Sequence, residues 1–424
     1  MGHITSKSYH KLQNRLDMNA QGAPTSEALY KILEILFSED EADKVSKLPI
    51  KPFTVEEASI RWGLPDEESK EILDKLADKG LLLDMNNNGM QNYILAPTMA
   101  GFFEFSLMRT DGRFNKKLLS ELFYQYINEE DDFVEKALMQ KTSIARTFVY
   151  EQAIQEKERA EILDYERASH IIDSASCITV GTCYCRHKME HVGKACNMPQ
   201  DVCLTFNSAA RSLMKHKIAK QITKEEAHDV LDRCVNLGLV QIGDNVQNNV
   251  NWICNCCGCC CEAILAYKKI GYRRKINSNF FAKINKEKCI GCGLCEKKCP
   301  VKAIEIVNKQ ATVDKDICIG CGVCHRFCKP EAVAMEREKK LSVTPVDSFE
   351  RFVLNAIEQG KLQNYIFDNY DLWTNELLRH LVGVLFKISP AKFLLANDQL
   401  KSKFLAALRK ARKSKLFSEL QGPK

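Results

Sequence analysis

Twenty cysteines occur in this chain of 424 residues, and every one of them lies between Cys177 and Cys328. The density is below that of a small disulfide-stapled scaffold. The opening residues, MGHITSKSYHKLQNRLD, contain no apolar signal core, so the chain is expected in the cytoplasm. There, thiols at this frequency point to metal rather than to disulfides. Hydrophobic residues make up 45% and charged residues 27%, which argues against wholesale disorder and against fibrous structure. No apolar run reaches the roughly 18–20 residues needed to span a bilayer.

Two of the cysteine groups are copies of one pattern. Cys289-x2-Cys292-x2-Cys295-x3-Cys299-Pro300 is followed, 29 residues on, by Cys318-x2-Cys321-x2-Cys324-x3-Cys328. Each run places three thiolates on a tight loop able to wrap one face of a cubane cluster, and the intervening glycines let the backbone approach inorganic sulfide. Zinc favours paired C-x2-C units and has no need of duplicated triplets. Cys321-x2-Cys324-His325 also spells a c-type haem attachment site, but both thiols already belong to the repeat. The paired runs resemble the bacterial two-[4Fe–4S] ferredoxins, in which the fourth cysteine of each run serves the other cluster. That resemblance implies that Cys289, Cys292, Cys295 and Cys328 hold cluster I, and that Cys318, Cys321, Cys324 and Cys299 hold cluster II. One departure is that Lys329 follows Cys328, with the proline displaced to Pro330. Residues 304–307 and 311–313 alternate as two short strands about a turn at Asn308-Lys309.

A second field holds ten cysteines in two groups. Cys183, Cys185, Cys196 and Cys203 are spaced x1, x10 and x6, with His187 and His191 among them; Cys254, Cys256, Cys257, Cys259, Cys260 and Cys261 crowd into eight residues. If the latter stretch is extended, Cys254, Cys256 and Cys260 share one face and Cys257, Cys259 and Cys261 the other. A helix starting near Glu262 would aim its positive end at the thiolates. Three readings compete. The first four thiols hold a [4Fe–4S] cluster while the dense run helps hold another; or zinc binds Cys183 and Cys185 with a histidine; or the thiols are small buried hydrophobes, the default for Cys177 and Cys234. The expected cofactors are therefore two [4Fe–4S] clusters and one or two additional iron–sulfur clusters. The succession Cys-Tyr-Cys-Arg-His…Cys…Cys, Cys-Asn-Cys-Cys-Gly-Cys-Cys-Cys and a two-cluster unit resembles a family of multidomain 4Fe–4S binding proteins from anaerobic bacteria. The resemblance implies an electron carrier with no defined substrate.

The chain is expected to be multidomain, mainly α with α+β parts. A polar arm (1–25) precedes a winged-helix-like domain (26–97), in which an amphipathic helix over 27–37, a Thr54/Glu57 capping box, a helix over 66–79 and a hairpin about 86–89 succeed one another. A helical segment (98–176), a cysteine-rich domain (177–275), the ferredoxin unit (281–338) and a helical basic region (346–424) follow. Sparse matches at an offset of 158 residues, such as Gly80-Leu81 with Gly238-Leu239, suggest a second helix-plus-hairpin unit over 205–253.

Charge bears on the partners. The helix over 66–79 carries six acidic residues against three lysines, the wrong sign for an element entering the major groove, so DNA is not an expected partner. Residues 387–424 carry ten Lys/Arg against two Asp/Glu; a basic amphipathic helix there fits an anionic membrane surface or an acidic partner, and equally a solvated terminal helix. No dinucleotide fingerprint, P-loop or nucleophile elbow is present. The expected activity is the relay of single electrons to or from a partner oxidoreductase, the donor and acceptor being redox proteins. The alternatives are an iron–sulfur redox-sensing regulator and a cluster-bearing subunit of an oxidoreductase complex.

Overall fold

The computed structural model describes residues 5–366 and 368, apart from 88–89, 139, 160–161, 273–275 and 277. It is a multidomain structure of mixed α and β character. Within the stretch expected as a polar arm, Lys7–Asp17 is a helix that buries Tyr9, Leu12 and Leu16. Three apolar residues on one face were enough to dock it, although the segment is polar overall. The helix Glu27–Leu36 buries Ala28, Leu29, Ile32, Leu33 and Leu36, and Ser26 caps its first turn. Helices Val55–Trp62, opened by the Thr54/Glu57 box, and Asp66–Asp78 lead into a hairpin of β1 (Leu82–Asn87) and β2 (Met90–Leu95). Leu83 faces Ile94 across the hairpin; two residues of its turn, 88 and 89, lie outside the described residues.

The stretch expected to be helical over 98–176 contains short helices and also a strand, β3 (Ala145–Phe148). All four of its residues are buried, so it carries none of the alternation by which a half-buried strand is recognised. It forms one edge of a six-stranded antiparallel sheet with β4 (Ile178–Thr182), β5 (Asp201–Phe206), β6 (Lys220–Gln221), β7 (Val240–Asp244) and β8 (Trp252–Cys256), in the order β3-β7-β8-β5-β4-β6. The second helix-plus-hairpin is thus the helix Lys224–Leu237 followed by β7 and β8. Unlike β1 and β2, these strands are absorbed into the larger sheet, because β8 also pairs with β5 at Leu204–Ile253.

The remaining strands build the ferredoxin unit. There β9 (Phe280–Ile284) pairs with β12 (Val333–Arg337), and β10 (Ile304–Val307) pairs with β11 (Gln310–Val313). Asn308 and Lys309 both adopt positive φ, the conformation a two-residue hairpin turn needs. After it come the helices Ser348–Glu358 and Leu362–Ile366; the basic segment 387–424 lies outside the described residues. Among the described residues, no helix is long and apolar enough to cross a membrane.

Candidate metal centres

The two cysteine runs of the ferredoxin unit fold as near copies. Glycines 291 and 320 take φ of +65°, and a Cβ at either would strike a backbone oxygen, of Lys309 and Phe280 respectively. Three residues past each fourth cysteine, Lys302 and Glu331 have positive φ. One residue further, the Ala303 N–H donates to Cys299 Sγ at 3.2 Å and the Ala332 N–H to Cys328 Sγ at 3.3 Å. The displaced proline leaves this geometry unchanged. Such N–H···S bonds lower the charge density on a cluster's thiolates.

The chain crossing is visible in the cavity lined by Cys289, Cys292, Cys295 and Cys328, together with Ile284 and Val333. It gathers three thiols of the first run and the last of the second. Cys299 sits within electrostatic reach of Cys318, Cys321 and Cys324. Burial pushes the thiols of Cys295, Cys299, Cys321 and Cys324 up, so metal binding must displace their protons. The Nδ1 of His325 lies 2.6 Å from the Val333 carbonyl oxygen.

The ten thiols of the second field divide six and four, and not along the sequence groups. Cys183, Cys185, Cys261, Cys256, Cys254 and Cys203 form a closed ring in which each thiol interacts with the next and the last with the first. Neighbouring strands assemble it. A bulge at the end of β4 delivers Cys183, whose N–H is held by the Gln200 carbonyl at 2.6 Å. β5 supplies Cys203, and β8 supplies Cys254 and Cys256, two residues apart on one face.

Two helices begin at this ring: Cys183 is the N-cap of Tyr184–His191 and Cys261 the N-cap of Glu262–Lys269. Hydrogen bonding to Cys185 and Cys203 holds the Cys183 thiol well below its ordinary range, aided by the Arg186 charge and N–H. Cys185 and Cys256, with the Ile264 N–H, do the same for Cys261. Cys254 is lowered to about 6 by Cys203 and Cys256. The intervening Cys185, Cys203 and Cys256 are pushed up.

The condition on which Cys254–Cys261 would sort into two faces, an extended stretch, does not hold. The strand ends at Cys256, and residues 258–260 are a turn. That turn swings Cys257, Cys259 and Cys260 to meet Cys196. The four-thiol grouping of Cys183, Cys185, Cys196 and Cys203 is likewise replaced, since Cys196 leaves the other three. Cys177 and Cys234 are buried and belong to neither group; burial raises Cys234 to about 12.

Charged residues that the cysteine pattern did not single out surround both groups. Arg186, 1% exposed, donates to the carbonyl oxygens of Pro199 (2.8 Å) and Asn255 (2.6 Å). Burial opposes its charge, yet the neighbouring cysteine sulfurs of Cys183, Cys257, Cys256 and Cys203 push its guanidinium above its ordinary range. It stands between the two thiol groups as their counter-ion. His187 and His191, candidates to complete a zinc site with Cys183 and Cys185, face each other instead, Nε2 to Nε2 at 3.1 Å, and His187 Nδ1 meets the Leu107 carbonyl at 2.6 Å.

Residues 282–335 match the family model of a 4Fe-4S dicluster domain. No curated protein and no solved structure matches the chain. The match and the duplicated thiol loops make this part of the chain a ferredoxin-type domain that binds two [4Fe–4S] clusters.

Proposed function

We propose that this protein relays single electrons between a docked redox protein and a buried polynuclear iron–sulfur centre within the six-thiol ring, by way of its two ferredoxin clusters. The ferredoxin clusters supply reversible one-electron chemistry. The protein's own contribution is placement. Cys292 is exposed and Ile290, beside Cys289, is 70% exposed, so the cluster I loop offers an apolar edge to a partner. Cys318, Cys321 and Cys324 are buried, which puts the second set inward of the first.

The observation that carries the reading is where the ring sits. Cys256 and Cys261 belong to the same apolar core as Cys295, Cys318, Cys321 and Cys324, whereas Cys183, Cys185 and Cys203 belong to the core of the N-terminal half. The ring thus straddles the junction, backed on one side by the ferredoxin unit. Six thiols exceed the four ligands of one tetrahedral ion, and so suit a polynuclear centre. Tyr150, whose N–H bonds the Cys321 carbonyl at 3.1 Å and whose hydroxyl bonds the Leu239 carbonyl at 2.6 Å, locks the ferredoxin loop onto the sheet that carries the ring.

An anaerobic redox titration followed by EPR tests this. Signals from more than two one-electron centres are expected; a titration accounted for by two ferredoxin clusters would leave the ring without a redox role.

A further inference from the structure

We infer that Cys196, Cys257, Cys259 and Cys260 hold one metal ion in a mononuclear tetrathiolate site, distinct in kind from the ferredoxin clusters and from the six-thiol ring. The sulfur spacing carries the inference. Cys196 and Cys257 Sγ lie 3.6 Å apart, Cys259 and Cys260 3.6 Å, and Cys260 and Cys196 3.7 Å. All four sulfurs lie within 4.8 Å of one another. A tetrahedral ion with metal–sulfur bonds of about 2.3 Å sets its sulfurs roughly 3.8 Å apart, the edge of the tetrahedron. A cubane instead puts each thiolate on a different iron at the corner of a larger tetrahedron, and so spreads the sulfurs beyond mutual contact.

The same chain supplies the comparison. Among the described residues this is the one group of three or more metal-ligating side chains gathered so closely. The eight thiols of the dicluster domain, built for cubanes, form no such group, and neither does the ring. The tight spacing is therefore a property of this site and not of cysteine-rich segments in general.

The surrounding fold holds the four ligands in place. Three come from one turn, and the turn is possible because Gly258 lies flat against Pro300, where a Cβ would stand 2.6 Å from the Pro300 oxygen. Lys268 Nζ ties the turn down through the Gly258 carbonyl at 2.5 Å. The fourth ligand, Cys196, arrives from the loop after the helix Tyr184–His191. Four thiolates on a divalent ion leave a net negative charge, which Arg186 and Lys268 offset from either side. An ion here would clamp the cysteine-rich turn to the loop that carries Cys196, and through Gly258 that turn packs on Pro300, which directly follows Cys299 of the ferredoxin unit. Cys259 is exposed and Cys196 partly so, so the ion is within reach of solvent.

Zinc and ferrous iron share this ligand chemistry, and the test separates them. The full-length protein, purified anaerobically from medium containing both metals, is analysed for zinc, iron and acid-labile sulfide, with X-ray absorption at both metal edges. The expected result is about one ion per chain in an all-sulfur shell near 2.3 Å, without a metal–metal shell. At the zinc edge that pattern identifies zinc; if iron fills the site, treating the unmodified protein with a mild chelator releases about one iron per chain without sulfide. Cys196→Ser and Cys260→Ser should each remove that ion while sulfide and the ferredoxin EPR signal stay constant. Loss of iron and sulfide together, about four of each per chain as for a cubane, would overturn the assignment, as would no bound ion beyond the clusters. The chelator experiment on unmodified protein reads the same site without depending on how a variant folds. Because the readout is a sulfide-free ion, it stands or falls separately from the redox centres counted by titration.

Discussion

Lys188 and Glu262 form an ion pair that solvent does not reach, their side chains 0% and 1% exposed. Each lies in the first turns of a helix that starts at a ring thiol, Cys183 for one and Cys261 for the other. Asn128 completes the contact, donating to Glu262 Oε2 at 2.7 Å and accepting from Lys188. The pair therefore sets the separation of the two helix ends that face the thiolates.

Removing one charge of such a pair leaves the other buried and uncompensated. Glu262→Gln or Lys188→Met should each destabilise the metal-loaded protein by about 3–5 kcal/mol, whereas replacing both with apolar residues should cost much less. Anaerobic thermal melts of the singles and the double check this; a loss in the double equal to the sum of the two single losses would show that the charges do not act on each other.

The ferredoxin domain should fold only with its clusters, because a short segment with eight metal-bound thiols has little apolar core of its own. Cys292→Ser combined with Cys321→Ser touches one ligand of each set and should abolish or cripple both signals. Unaltered iron content and reduced EPR spectra would mean that the ligand sets are wrongly drawn.

Acid should loosen the join between the N-terminal hairpin and the helix Asn207–Lys215. Burial would raise the Asp84 carboxyl, but hydrogen bonds from His216, Lys215 and Ser212 outweigh it and hold the group well below the usual carboxylate range. Serine and histidine contacts measure 2.6 and 3.1 Å. A depressed carboxylate contributes stability that is fully present above its unfolded value, roughly pH 4, and is lost as pH falls towards the folded value. Asp84→Asn should lower the melting temperature at pH 7 and flatten its fall below pH 4. A variant that melts like the parent at pH 7 would count against this.

The N-terminal helix-and-hairpin unit should not retain duplex DNA. The helix Asp66–Asp78 has Asp66, Glu67 and Glu68 in its first turn, where phosphate contacts would form. Gel retardation with the full-length protein at low salt should show no shift; salt-sensitive binding at micromolar concentration would revive the regulator alternative.

How much of this was legible in the sequence varied with the physics involved. The ferredoxin loops were readable because spacing, glycines and duplication all constrain one local geometry. The capping box at Thr54 and Glu57 was readable for the same reason, being complete within four residues. The six-and-four division was not. It depends on where β8 stops, and that is decided by Gly258 meeting Pro300 some forty residues away. β3 was hidden because Arg146 is buried inside it, its guanidinium 4.5 Å from the Phe148 ring, so the strand shows neither alternation nor an apolar run. Arg186 stood in the Cys-Tyr-Cys-Arg motif, but only the fold places it between two sets of thiols.

Counting iron and sulfide in the anaerobically reconstituted full-length protein, beside Cys183→Ser and Cys256→Ser, tests the central claim most directly. The two ferredoxin clusters account for about eight irons per chain. Clearly more than eight irons are expected, with matching sulfide, and a drop in both variants that leaves the ferredoxin EPR signal untouched. A count that stays at eight in all three proteins would contradict it and reduce the ring to buried, metal-free thiols.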